Sequence, residues 1–125
     1  PEAVLPALRR HLDARGFGQV RIEGGEAAFA ATRLDPEAPW ARFVRDSLTR
    51  SAGRPPHVLP NLGGSLPNDI FAGILGLPTI WIPHSYASCS QHWPDEHILM
   101  GLSRNAIELM AGVYWDIGEG KTPER

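Results

Sequence analysis

The chain has a single cysteine, Cys89. One thiol cannot close an internal disulfide, nor can it build a multi-thiolate zinc site, and such usage fits a reducing, cytoplasmic setting. Neither charge sign is in excess: 12 Lys plus Arg stand against 14 Asp plus Glu, for a net charge of -2. No stretch concentrates cations into a stripe for a phosphate backbone, which makes nucleic acid a poor candidate partner. An uninterrupted apolar run of membrane-spanning length is missing too, so no membrane partner is expected. Pro1-Glu2-Ala3-Val4 lacks an initiator Met and the charged and apolar regions of a signal peptide. We expect this start to be an internal point of a longer chain. Internal repeats and low-complexity tracts are absent as well. What is present, 42% hydrophobic residues over a length of 125, suffices for a real core and argues against disorder.

Leu5, Leu8 and Leu12 recur at helical spacing between Pro6 and Gly16, which predicts a helix over 3–15. Gln19-Val20-Arg21-Ile22-Glu23 alternates polar and apolar residues, as a strand with one buried face does, and Gly24-Gly25 ends it. Residues 26–36 show no helical period, and Thr32 to Pro36 reads as an extended connector near a domain boundary. Trp40, Phe43, Val44 and Leu48 then predict a helix ended by Gly53, and Pro55-Pro56 precedes a short strand at 57–59.

Ser65 follows Gly63-Gly64 and precedes Leu66-Pro67, the place of a helix N-cap, with the helix expected to close at Gly76. The apolar run 78–83 reads as a strand covered on both faces. Strand, helix, strand would give a parallel pair with a right-handed crossover, hence an α/β fold. Ile98, Leu102, Ala106, Leu109 and Val113 mark a long terminal helix with one face on that sheet, followed by a polar tail from Gly118.

Two places carry candidate chemistry. Gly63-Gly64-Ser65 lies at an expected helix N-terminus, where free N–H groups and the helix dipole favour an anion; the plainer reading is that Ser65 caps and the glycines turn. The segment 84–97 holds three of the five histidines, His84, His92 and His97. A zinc ion needs about three or four protein ligands, and the spacing His92, Glu96, His97 matches no self-contained helical zinc motif, because Pro94 breaks the helix. If His92 binds metal, its companions come from elsewhere. His84 and His97 read as ordinary loop and first-turn residues, Asp95 as a helix cap, and Glu96 as a favourable charge with an optional supporting role behind a metal site. Cys89 has no basic cluster beside it and reads as structural. Trp40 and Trp115 read as core, whereas Trp93 reads as a pocket wall.

Taken together, Gly63-Gly64-Ser65-Leu66-Pro67-Asn68-Asp69, Leu75-Gly76-Leu77-Pro78 and Gln91-His92-Trp93-Pro94-Asp95-Glu96-His97 resemble the C-terminal region of the M20 metallopeptidases. That family includes acetylornithine deacetylase, succinyl-diaminopimelate desuccinylase, carboxypeptidase G2 and carnosine-type dipeptidases. The resemblance covers nearly the whole chain but only the last part of the family's usual length. It implies that residues 1–31 close a ferredoxin-like lid domain and residues 32–125 close an α/β catalytic domain.

By the same resemblance His92 corresponds to the last ligand of a two-zinc centre, other divalent metals being possible, and Gly63, Gly64 and Ser65 to the loop holding the substrate carboxylate. The remaining ligands and the general base would lie upstream, so no catalytic base is expected within the chain, and the chain alone is expected to be inactive. Trp93 departs from the small residue many relatives carry there, which bears on pocket size. The implied reaction is hydrolysis of an amide bond in a small peptide or N-acyl amino acid, in a parent that dimerises through the lid. Two alternatives stay open: a free-standing α/β anion-binding module, and a non-catalytic relative without metal.

Overall fold

A computed structural model of the chain describes residues 2–23, 29–64 and 66–123. In chain order it holds α1 (Val4–Ala14), α2 (Pro39–Ala52), a π-helical segment (Ile70–Ile74) and α3 (Met100–Gly118). Two units emerge: Pro1–Thr32 with Gly63–Leu77, and Arg33–Leu62 with Pro78–Arg125.

In the first unit, the helix expected from the Leu5, Leu8 and Leu12 spacing forms as α1. Gly16 stops it at φ +79°, a left-handed conformation that costs glycine least. The turn then returns two amides to the helix's last carbonyls, Gly16 N–H to Asp13 O at 3.1 Å and Phe17 N–H to Leu12 O at 2.9 Å. No α1 residue is buried. The strand expected at 19–23 does not form, and the cause is local: Val20 N–H turns back to Phe17 O at 3.0 Å. Arg9 holds that turn, with Nη1 donating to Val20 O at 2.6 Å and Nη2 to Phe17 O at 3.2 Å. The Gly24-Gly25 stop lies outside the described residues.

The second unit is organised by α2 and α3, which pack on each other. Phe43, Val44 and Leu48 of α2 and Val113 of α3 form the buried cluster, with Trp40, Leu109, Ile80 and Ile82 against it. Trp40 meets Phe43 edge to face, with ring centroids 5.5 Å apart. The helices approach closely at Gly112, where a Cβ would collide with Ser51 Oγ and lie 3.2 Å from Ser51 Cβ. At the centre of the contact sits a polar group. Ser47, wholly buried, donates its hydroxyl to Asp116 Oδ2 at 2.7 Å. Arg50 reaches the same oxygen through Nη2 at 2.7 Å and Nε at 3.2 Å, and Lys121 Nζ donates to Oδ1 at 2.9 Å.

Lys121 is placed there by the end of α3. Gly120 takes φ +72°, Gly120 N–H donates to Ile117 O and Lys121 N–H to Asp116 O, each at 3.1 Å. This left-handed cap orders a stretch that the sequence reads as a polar tail. With Lys121, Ser47 and Arg50 all donating to it, Asp116 is held well below its ordinary value of 3.8.

The expected α/β fold is overturned: the chain is helical, and among the described residues there is no strand and no sheet. A strand needs a laddered neighbour, and among the described residues neither 57–59 nor 78–83 forms such a ladder. The apolar run at 78–83 is buried by another route. Extended backbone places alternate residues on one side, and Ile80 and Ile82 use that side to pack on the helix pair. Hence the face of α3 expected on a sheet lies on α2, and the parallel pair with its crossover is not formed among the described residues. Two further expectations are corrected: α3 begins at Met100, beyond His97, and Trp115 is 70% exposed rather than core.

Candidate functional site

Gly63 and Gly64 belong to the first unit, and Ser65 between them and Leu66 lies outside the described residues. The helix expected after Ser65 is reduced to two helical residues at 68–69 and the five-residue π segment, ended by Gly76 at φ +64°. So short an element has little dipole, which removes the expected electrostatic reason for an anion at its start. Gly63 itself needs neither a left-handed backbone nor space, since a Cβ there would meet nothing within 4 Å. The fold of the described chain gives no reason for glycine at this position.

His92 belongs to the second unit, on the segment between Pro83 and α3. Three non-glycine residues there take a left-handed backbone, Ser90 at φ 56°, His92 at 65° and Asp95 at 64°. Each such residue costs on the order of 1 kcal/mol or more, so the path is held by its bonds. Cys89 N–H donates to Tyr86 O at 3.1 Å, Trp93 N–H to Ser90 O at 2.8 Å and His97 N–H to Cys89 O at 3.0 Å. The Cys89 side chain is buried beneath them.

Glu96 supplies a further brace, its Oε2 accepting the His92 backbone N–H at 3.2 Å. Its role is therefore to fix the backbone that carries the imidazole. The ring of His92 is exposed and has no hydrogen-bond partner among the described residues. Trp93, expected as a pocket wall, is 76% exposed and is not among the residues lining the cavity beside Tyr86 and His97. Asp95 caps no helix; its carbonyl instead accepts from His97 Nδ1 at 2.8 Å.

That last bond fixes a tautomer. A carbonyl only accepts, so Nδ1 carries the proton, and in the neutral ring Nε2 is left as an acceptor. Tyr86 Oη lies 2.5 Å from Nε2 and donates to it. Tyr86 and His97 both line an open cavity of about 360 Å³, together with His84, Cys89, Gln91 and Glu96. From the sequence alone His97 has an ordinary place in a helix's first turn, and Tyr86 carries no signal. Only the folded path of the loop brings the two rings together.

Zinc fits this arrangement through one donor. Among the described residues no three His, Cys, Asp or Glu side chains converge on a common point. His92 is free to give one nitrogen, and a zinc ion held at about three or four positions would need the others from outside the described residues. Among the same residues, no helix is long and apolar enough to cross a membrane. No protein-family model, curated protein or solved structure matches the chain.

Proposed function

We propose that this chain is one contributor to a shared two-zinc hydrolase centre that cleaves amide bonds of small carboxylate-bearing substrates, peptides or N-acyl amino acids, in a cytoplasmic setting. It gives His92 as a single metal ligand and Gly63-Gly64-Ser65 as the contact for the substrate carboxylate. The observation that carries the reading is the state of His92: an exposed, unpaired imidazole on a left-handed backbone that Glu96 holds from behind. Strain of this kind persists where surrounding bonds impose it, and it collects at sites that use the side chain it displays. Gly63 adds support, because a glycine that the fold does not require leaves the backbone open to close approach by a ligand.

Each residue has a limited task. Glu96 fixes the His92 backbone, so the imidazole is presented without searching for its position. The imidazole binds as a neutral ligand through one nitrogen. Gly63 and Gly64 offer backbone N–H groups to a carboxylate without a side chain in the way. When bound, a zinc pair supplies Lewis acidity toward the scissile carbonyl and acidifies an attacking water.

The test is metal content in the product of the entire coding sequence. About two zinc ions per chain, with a loss on His92→Ala and normal folding by circular dichroism, is the expected result. Full zinc content in His92→Ala, or no zinc in the parent protein, overturns the assignment, the latter in favour of a non-catalytic relative.

A further inference from the structure

The loop that displays His92 holds a second arrangement that the metal reading does not use. Tyr86 donates its phenolic proton to His97 Nε2 at 2.5 Å, and His97 in turn donates from Nδ1 to Asp95 O at 2.8 Å. Hydroxyl, imidazole and a fixed acceptor behind the imidazole make the arrangement that activates an oxygen nucleophile: the base is within reach, and its orientation is set by a third group. The rings stand nearly edge to face, 74° apart, and both border the cavity shared with Gln91 and Cys89. With its proton directed to His97, the phenolic oxygen keeps its lone pairs for the cavity side. The other tyrosine, Tyr114, is 68% exposed on α3 and has no such base among the described residues.

We infer that Tyr86 is an imidazole-activated nucleophile and that the cavity is a site of covalent modification by activated acyl or sulfonyl groups. In the step, Tyr86 Oη attacks the electrophilic centre, the new O–S or O–C bond forms, and the bond to the leaving group breaks. The leaving group departs with that electron pair. The phenolic proton passes to His97 Nε2 and then to water. Nothing is oxidised or reduced, and the electrophile is the only co-reactant. This inference is independent of whether His92 binds metal.

The two tyrosines give an internal control. An aryl sulfonyl fluoride is incubated with the 125-residue chain, and labelling at each tyrosine is followed by peptide mass spectrometry. Exposure alone favours Tyr114; general-base assistance, typically worth about a hundredfold or more, favours Tyr86. Tyr86 is expected to label at least about tenfold faster than Tyr114. His97→Gln keeps an acceptor near the phenol but no base, and should bring Tyr86 down to or below the rate of Tyr114, which itself stays unchanged. Equal or faster labelling of Tyr114 in the unmodified chain overturns the inference. So does a His97→Gln protein that still labels Tyr86 at the original rate.

Discussion

The helix pair α2 and α3 and the loop at 84–98 lie in the same unit, yet they are held by different means. The pair buries Phe43, Val44, Leu48 and Val113 around one fully satisfied carboxylate. The loop buries Cys89 alone among its residues, takes three left-handed non-glycine positions, and relies on hydrogen bonds close in sequence. Apolar burial scales with area and couples distant parts of a chain, whereas short-range hydrogen bonds fix a path without joining it to much else. The contrast predicts that the pair sets global stability and that the loop sets side-chain position. Its residues are therefore free to be chosen for chemistry.

The largest expected effect lies at Asp116. Asp116→Ala leaves Ser47 buried without its acceptor and takes the counter-charge from Arg50 and Lys121. It should lower the thermal midpoint more than any loop substitution. The pH dependence has a definite sign. Because the folded carboxyl is held below its ordinary 3.8, its contribution is complete above that value and is lost as pH falls through it toward the depressed one. Thermal melts from about pH 5 to pH 2 should show this loss, and Asp116→Asn should flatten it. An unchanged acid slope in Asp116→Asn would mean that other carboxylates control the acid limb.

How much of this was legible in the sequence differs between the same two regions. The helices were readable because their periodicity and stops are local: Gly16, Gly53 and Gly76, each expected as a stop, all take positive φ. The strands were misread because an apolar, extended segment looks the same whether it pairs in a ladder or packs on helices, and the ladder partner is not a local property. Ser47 and Asp116 carried an unused signal. Ser47 falls between Val44 and Leu48 on the buried face of α2, and Asp116 follows Leu109 and Val113 on that of α3. Two polar residues on facing apolar stripes call for each other. The site was legible only residue by residue: His92 and Glu96 could be named, but the left-handed backbone and the Tyr86–His97 pair exist only once the loop is folded.

A smaller effect tests how closely the pair is fitted. Gly112→Ala should gain about 1 kcal/mol of helix propensity. The new Cβ, however, collides with Ser51 Oγ, and overpacking of this kind costs about 1–3 kcal/mol. A net loss of about 1 kcal/mol is expected in a denaturant titration. Ser51→Ala removes the colliding oxygen and leaves the 3.2 Å contact with Cβ. The double variant should therefore recover most of the loss. If Gly112→Ala stabilises the otherwise unmodified chain, α2 and α3 have more room at this crossing than the structure gives them.

The smallest effect on stability should come from Glu96→Ala, although it strikes the centre of the loop. The substitution removes the acceptor of the His92 amide at 3.2 Å. Glu96 is exposed, so water replaces the carboxylate, and the global unfolding free energy should change by no more than about 0.5 kcal/mol. What should change is local. Amide exchange at His92 should accelerate while amides in α2 and α3 keep their protection, because opening the loop does not require opening the pair. A cooperative loss of protection across both regions would show that the loop is part of the stabilising core. Local loss alone would mean that Glu96 acts on where the imidazole sits rather than on global unfolding.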